Sequence, residues 1–135
     1  MSRLLLVIAL AASGLCAQDW VPTHIVAITE YPRLAWIAQV TGDVIIRCSL
    51  NKDGSVAKAD VVSGPPLLGQ QALQNAIIWK FRRDPPKKNQ TQGFVTLTYQ
   101  YRLEGGTKDA PHASFVVDLP GIIHVVAPIP VPMID

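Results

Sequence analysis

The feature that most constrains the fold is an alternating run at residues 94–103. The apolar residues at every second position of that run are Val95, Leu97, Tyr99, Tyr101 and Leu103. The residues between them are Phe94, Thr96, Thr98, Gln100 and Arg102. Successive side chains of a β-strand point to opposite faces of its sheet, so the run predicts a strand with one buried face and one wet face. The rest of the chain must supply the cover for the buried face.

A β-hairpin is predicted upstream of this strand. Residues 43–50 alternate in the same way, and the apolar positions are Val44, Ile46, Cys48 and Leu50. The segment 51–54 reads Asn-Lys-Asp-Gly, which supplies turn formers, and the β-prone run 56–63 follows it. Cys48 therefore points inward, and we expect it to be inert.

Two helices are predicted beside these strands. The first spans about residues 32–40, begins at Pro32 and ends before Gly42. The second spans about residues 67–81, and its apolar residues recur at helical spacing: Leu68, Ala72, Leu73, Ala76 and Ile77. The order helix, strand, strand, helix, strand predicts an α+β fold, in which a three-stranded antiparallel or mixed sheet packs against two helices.

The first 17 residues have the pattern of a secretory signal peptide. Arg3 precedes the uncharged stretch 4–12, and small residues lead to Ala17, after which we expect cleavage. The uncharged stretch is short for a membrane-spanning helix, although an uncleaved anchor and a lipid on Cys16 are the alternatives. Export to the periplasm is the prediction. Cleavage would leave Cys48 as the single cysteine of the mature chain, so we expect no internal disulfide.

The mature chain is predicted to be one small domain without a cofactor. A length of 135 residues suits a single core, and a formal net charge of +2 gives no general attraction for nucleic acid. His24, His112 and His124 stand apart, without the paired spacing of a metal site. We expect no metal, no small-molecule substrate and no enzyme activity. The remaining enzyme hypothesis is a small hydrolase in which the fold gathers Asp43, Asp60 or His124.

The mature sequence divides into three regions: a lead-in at 18–30, a domain at 31–104 and a C-terminal tail at 105–135. The tail holds two apolar runs, 115–119 and 122–127, on either side of Pro120-Gly121, which predicts a small hairpin. Alternating prolines after Ala127 favour extended chain. We hypothesise that one tail strand pairs with the open edge near residues 94–103, within the molecule or across a dimer.

An ordered set of residues runs through the domain: Tyr31-Pro32, Ala35, Gly42, Val44, Asp53-Gly54, Val56, Ser63-Gly64, Leu68, Ala72 and Trp79-Lys80-Phe81. Through these residues the domain resembles the TonB C-terminal domain family over about residues 31–103. The resemblance implies a periplasmic domain that holds an extended segment of an outer-membrane receptor, the TonB box, as an added strand on the last strand of its sheet.

Carried over to this chain, the resemblance implies partner contacts on the strand 94–103. The predicted partner-binding residues are Phe94, Thr96, Thr98, Gln100 and Arg102. The predicted partner is an outer-membrane TonB-dependent receptor or another envelope protein. The alternative for the threonines is that they are β-branched residues suited to a wet sheet face.

A basic cluster suggests a second contact, with an anionic surface. Its residues are Lys80, Arg82, Arg83, Lys87 and Lys88. A solvated loop is the alternative for this cluster. The alternative function is a structural envelope protein that forms a homodimer, or binds peptidoglycan, through the same fold.

Overall fold

The computed structural model describes residues 20–83, 93–119 and 121–131. The predicted signal peptide, Cys16, Lys87 and Lys88 lie outside these ranges. The elements in chain order are β1 (Trp20–His24), α1 (Arg33–Ile37), β2 (Gly42–Leu50), β3 (Val56–Ser63), α2 (Pro66–Ile77), β4 (Lys80–Arg83), β5 (Gly93–Lys108), β6 (Ser114–Asp118) and β7 (Ile122–Pro130).

The main sheet has five strands in the order β3-β2-β5-β7-β6. β2 pairs antiparallel with β3 and with β5, and β6 pairs antiparallel with β7. β7 runs parallel to β5, which makes the sheet mixed. β1 and β4 form a separate two-stranded antiparallel sheet.

The α+β fold with two helices and a mixed sheet is confirmed, but the prediction of three strands is wrong. The sheet gains two strands, β6 and β7, because the apolar runs of the tail pair with the sheet. The hypothesis that a tail strand pairs with the edge near residues 94–103 is confirmed within one chain, from Thr98 to Leu103.

One face of the main sheet carries the core. The inward residues of the three central strands β2, β5 and β7 are almost fully buried, and α1 and α2 supply Trp36, Leu68, Ala72 and Ala76 to the same core. The opposite face of the sheet is the open face, where the alternate residues of the same strands lie. Cys48 is fully buried on the core side, as the alternation of β2 predicted.

The turn between β2 and β3 fits closely against β4. The Asp53 carboxylate accepts hydrogen bonds from the Ser55 backbone and hydroxyl, at 2.9 and 2.6 Å, and these bonds lower the pKa of Asp53. Gly54 has a φ of 90°, and a Cβ there would lie 1.8 Å from the carbonyl oxygen of Phe81. This turn therefore requires glycine both for its backbone conformation and for its contact with β4.

The second helix is shorter than predicted. α2 ends at Ile77, and the segment Trp79-Lys80-Phe81, which the sequence pattern predicts as the end of the helix, leads into and forms part of β4. Trp79 and Phe81 are buried while Lys80 is exposed, so this short run also has the period of a strand. The run fits both helical and strand spacing, and its pairing with β1, which is distant in sequence, makes it a strand.

Candidate functional site

Strand β5 places all five predicted partner-binding side chains on the open face of the sheet. Phe94 is 56% exposed, and the guanidinium carbon of Arg47 lies 4.5 Å from the centroid of its ring. At the other end of the row, Arg102 forms an ion pair of 2.7 Å with Asp43. Both partners of that ion pair are well exposed, so it contributes little to stability. The face is open to solvent, but both ends of the row already have neighbours on β2.

The backbone of β5 is paired on both sides over much of its length. β2 pairs with residues Gly93 to Tyr101, and β7 pairs with Thr98 to Leu103 and again with Thr107 and Lys108. The Thr98 amide donates to the carbonyl of Gly121 at 2.8 Å. The edge of β5 that was predicted to bind a partner is therefore occupied by β7 from Thr98 onward. Within the described ranges, no strand pairs with the same side of Gly93–Leu97.

β7 occupies this edge as a well-packed parallel strand. Its inward residues Ile123, Val125 and Ala127 are at most 1% exposed. Gly121, just before the strand, fits closely against β5, because a Cβ there would lie 2.7 Å from the carbonyl oxygen of Thr96. The alternation of residues 123–127 was visible in the sequence as an apolar run. That run predicted a strand but did not show which edge the strand would occupy.

The segment around the β6–β7 hairpin is joined to the rest of the domain at several points. The Trp36 indole N–H donates to the carbonyl of Pro128 at 2.7 Å. The Tyr31 amide donates to the carbonyl of Pro111 at 2.8 Å, and the Ala113 amide donates to the carbonyl of Thr29 at 2.9 Å. The hairpin is thus held by α1 and by the segment that precedes α1, in addition to β5.

A buried polar network lies beneath β5. The Asn75 side-chain oxygen accepts from the Tyr99 hydroxyl at 2.7 Å and from the Trp79 indole N–H at 2.9 Å. The Tyr101 hydroxyl donates to the side-chain oxygen of Gln71 at 2.9 Å. Burial raises the pKa of both tyrosines, so both hydroxyls stay protonated and act as donors. The network fixes the inner face of β5 on α2.

Three of the predicted basic residues, Lys80, Arg82 and Arg83, lie on β4, where the sequence predicts the end of the second helix and the loop after it. Lys80 and Arg82 are exposed, whereas Arg83 is half-buried and its guanidinium carbon lies 5.3 Å from the centroid of the Trp20 ring. Trp20 is 6% exposed and contacts Gly93, the first residue of β5. Arg83 is therefore close to the beginning of β5, whereas Lys80 lies at the other end of β4, opposite His24.

The residues of the hydrolase hypothesis do not form a catalytic group. Asp43 is paired with Arg102, His124 lies 2.8 Å from Asp118, and Asp60 stands opposite Arg47 in the β2–β3 pair. A pocket of about 340 Å³ beside α1 is lined by none of the three hypothesised residues. In the described ranges no group of three or more His, Cys, Asp or Glu residues is placed to hold a metal ion.

Comparison with known proteins decides the family. A family model described as the Gram-negative bacterial TonB protein C-terminal matches residues 29–103, which is more than half of the chain. The chain belongs to the TonB C-terminal domain family. No curated protein and no solved structure matches it. The family resemblance found in the sequence is thereby confirmed.

Membership in the TonB C-terminal domain family has direct consequences for function. The family consists of periplasmic protein-interaction domains rather than enzymes, and its domains interact with outer-membrane receptors. Over the parts of the chain that the structure describes, no helix is long and apolar enough to cross a membrane. β6 and β7 lie outside the matched range, so the strand on the β5 edge comes from a segment that the family model does not include.

Proposed function

We propose that this protein is a periplasmic binding module for TonB-dependent transport, which recognises an extended segment of an outer-membrane receptor or transporter by strand addition. The acceptor is the β7-facing edge of β5. Phe94, Thr96, Thr98, Gln100 and Arg102 then border the bound segment on the open face. The proposal includes export of the chain and removal of residues 1–17.

The observation that carries the proposal is the parallel pairing of β7 on β5. β7 comes from outside the family match and adds to the last strand of the matched domain, from Thr98 opposite Ile122 to Leu103 opposite Ala127. The β5 edge is therefore stereochemically suited to an extended strand with alternating apolar residues. Main-chain hydrogen bonds supply affinity in this type of recognition, and pockets for alternate side chains supply specificity.

With strand addition at this edge, β7 and the receptor segment compete for the same backbone groups of β5. Full burial of Ile123 and Val125 stabilises the docked hairpin by about 1.5–3 kcal/mol for each side chain. A receptor strand in the same place regains contacts of the same kind. Its apparent affinity is reduced, however, by the small fraction of molecules in which the edge is open. The intact protein is thus expected to bind weakly until the hairpin moves.

The basic residues of β4 support a second contact for the same partner. Lys80 and Arg82 are exposed on β4, and Arg83 of the same strand lies over Trp20, which contacts Gly93 at the beginning of β5, where β7 does not pair. An acidic stretch flanking the bound segment would meet them there. Lys87 and Lys88 belong to the same proposal by their place in the sequence.

A substitution at Gly121 tests the competition. An added methyl group would press on the carbonyl oxygen of Thr96, so Gly121→Ala weakens the docking of β7 on β5. Overpacking of this kind costs about 1–3 kcal/mol, and about 1.4 kcal/mol corresponds to a tenfold change in affinity. The expected result is about a tenfold gain in affinity for peptides from the periplasmic N-terminal segments of receptors, measured by fluorescence anisotropy.

Gly106→Ala is the matched control for this experiment. It is the same substitution in the same region of the chain, and a Cβ there would meet nothing within 4 Å. We expect its peptide affinity to equal that of the unmodified protein. Equal affinity for both variants, with both folded, would exclude competition between β7 and the peptide. Absence of binding in every variant at millimolar peptide would refute the proposed function.

A further inference from the structure

The main sheet has two outer strands, β3 and β6, and they differ in how well their edges are protected. The pairing of β3 with β2 has two register breaks, at Val62 and at Ala57, where β3 carries one extra residue each time. Such bulges twist an edge and oppose further pairing. The regular part of β3 between the breaks also carries Lys58 and Asp60, and charged side chains protect an edge in the same way.

β6 has none of these protections along its central residues. Its pairing with β7 runs without a register break from Ser114 opposite Val126 to Asp118 opposite Ile122. The three residues Phe115, Val116 and Val117 are apolar, and Val116 is 53% exposed. The single charged residue of the strand, Asp118, is at its end and is paired with His124. Among the described residues, no strand lies on the outer side of β6.

We infer that β6 is a dimerisation edge, and that its partner is β6 of a second copy of this chain, paired antiparallel with Val116 opposite Val116. The pairing would join the two main sheets into one continuous sheet with twofold symmetry. This inference is independent of the proposed receptor binding, because it uses the outer edge of β6 and leaves the β5–β7 pairing in place.

The strand is complementary to itself in this register. Phe115 of one copy stands opposite Val117 of the other on the core side, where both residues are half-buried and pack against the core. On the open face, Val116 meets Val116, and Ser114 meets Asp118, so that no like charges are opposed. Apolar cross-strand pairs of this kind stabilise a sheet. Twofold closure also limits the assembly to a dimer on this edge.

The short length of β6 makes this a weak interface. A five-residue strand contributes few backbone hydrogen bonds and an area at the low end of specific interfaces. The dimer is therefore expected at high protein concentration, where sedimentation and cross-linking detect it.

Cysteine cross-linking tests the register directly. Directly opposite residues of an antiparallel pair have Cα atoms about 4.5–5.5 Å apart, which suits a disulfide. We would compare Val116→Cys with Val62→Cys, a residue of similar exposure at 60% on the protected β3 edge. Both variants carry Cys16→Ser in the full-length chain, and the buried Cys48 is common to both. The expected result is covalent dimer at least ten times faster for Val116→Cys under mild oxidation.

A second pair of variants measures the dimer without cross-linking. Val116→Lys should abolish the concentration-dependent dimer in analytical ultracentrifugation, whereas Val62→Lys should retain it. Equal cross-linking rates for the two cysteine variants, or a wild-type chain that stays monomeric at millimolar concentration, would overturn the inference. Cross-linking of Val116→Cys to other envelope proteins, without self-dimer, would also overturn it and would assign the edge to a different partner.

Discussion

Trp36 on α1 donates its indole N–H to the carbonyl oxygen of Pro128 on β7, at 2.7 Å and across 92 residues of sequence. One partner lies within the region matched by the family, and the other lies in the tail beyond it. The tail is therefore an integral part of the folded domain. This contact also makes the docking of β7 measurable by mutation.

We predict that Trp36→Phe loosens β7. The substitution keeps most of the apolar volume but leaves the Pro128 carbonyl without its donor, which costs about 1–2 kcal/mol. Amide hydrogen exchange should become faster at residues 123–127 of β7 than in the unmodified protein. Amides of β2 should lose protection to a smaller extent, so equal losses in β2 and β7 would contradict a local role for this contact.

Asn75→Ala is predicted to be strongly destabilising. Asn75 is 7% exposed, accepts from Tyr99 and Trp79, and donates to the carbonyl of Val26 at 2.7 Å. Its removal leaves two buried donors without an acceptor, so the free energy of unfolding should fall by about 2–4 kcal/mol. Chemical denaturation followed by tryptophan fluorescence measures this change. Gln74→Ala, on the exposed side of the same helix, should change stability by less than about 0.5 kcal/mol.

Two glycine substitutions should have opposite effects on stability. Gly69 lies inside α2, and a Cβ there would make ordinary contacts with Val61 at 3.6 and 3.7 Å. Gly69→Ala should stabilise the protein by about 0.5–1 kcal/mol, because alanine favours a helix. Gly64 has a φ of 130°, and a Cβ there would lie 2.9 Å from the backbone of Asp43 and Val44. Gly64→Ala should lower the melting temperature, and a rise would contradict the described turn.

Stability is predicted to fall in alkaline solution. Burial raises the pKa of the Cys48 thiol to about 11 and that of the Tyr31 hydroxyl to about 12. Above about pH 9 the unfolded chain loses protons that the folded chain retains, so rising pH favours unfolding. The denaturation midpoint should decrease between about pH 9 and 11, and the decrease should be smaller in Cys48→Ala. A midpoint that stays constant or rises over this range would show that these groups are not buried.

The alternating strands were predictable because their signal is local. β2 and β5 carry one apolar residue at every second position, and the structure buries those residues on one face. The hairpin turn was predictable for the same reason, since its turn formers Asp53 and Gly54 are neighbours in the sequence. These features depend on neighbours within a few residues along the chain.

The pairing of distant segments could not be predicted in full from the sequence. Trp79 and Phe81 fit a helix or a strand, and their place in or beside β4 depends on β1, more than fifty residues earlier. Prolines at 128 and 130 argued against a central strand. They are tolerated in β7 because its pairing with β6 ends at Val126, so that β7 has a neighbour on one side only beyond that residue.

The candidate site was predicted in part. The alternation of residues 94–103 placed five side chains on a common face, and the structure has them there. The sequence did not show that β7 fills the backbone edge in parallel orientation, because a parallel pairing leaves no turn signal between its strands.

Receptor binding at the β5 edge is tested most directly by an NMR titration of the labelled chain, residues 18–135, with receptor peptides. Contacts between β5 and β7, such as those between Tyr99 and Ile123, report the present pairing. If the receptor segment replaces β7, bound peptide removes these contacts and creates new ones to residues 98–103. Peptide binding with the β5–β7 contacts intact would contradict this replacement, because the receptor segment would then bind at a different surface.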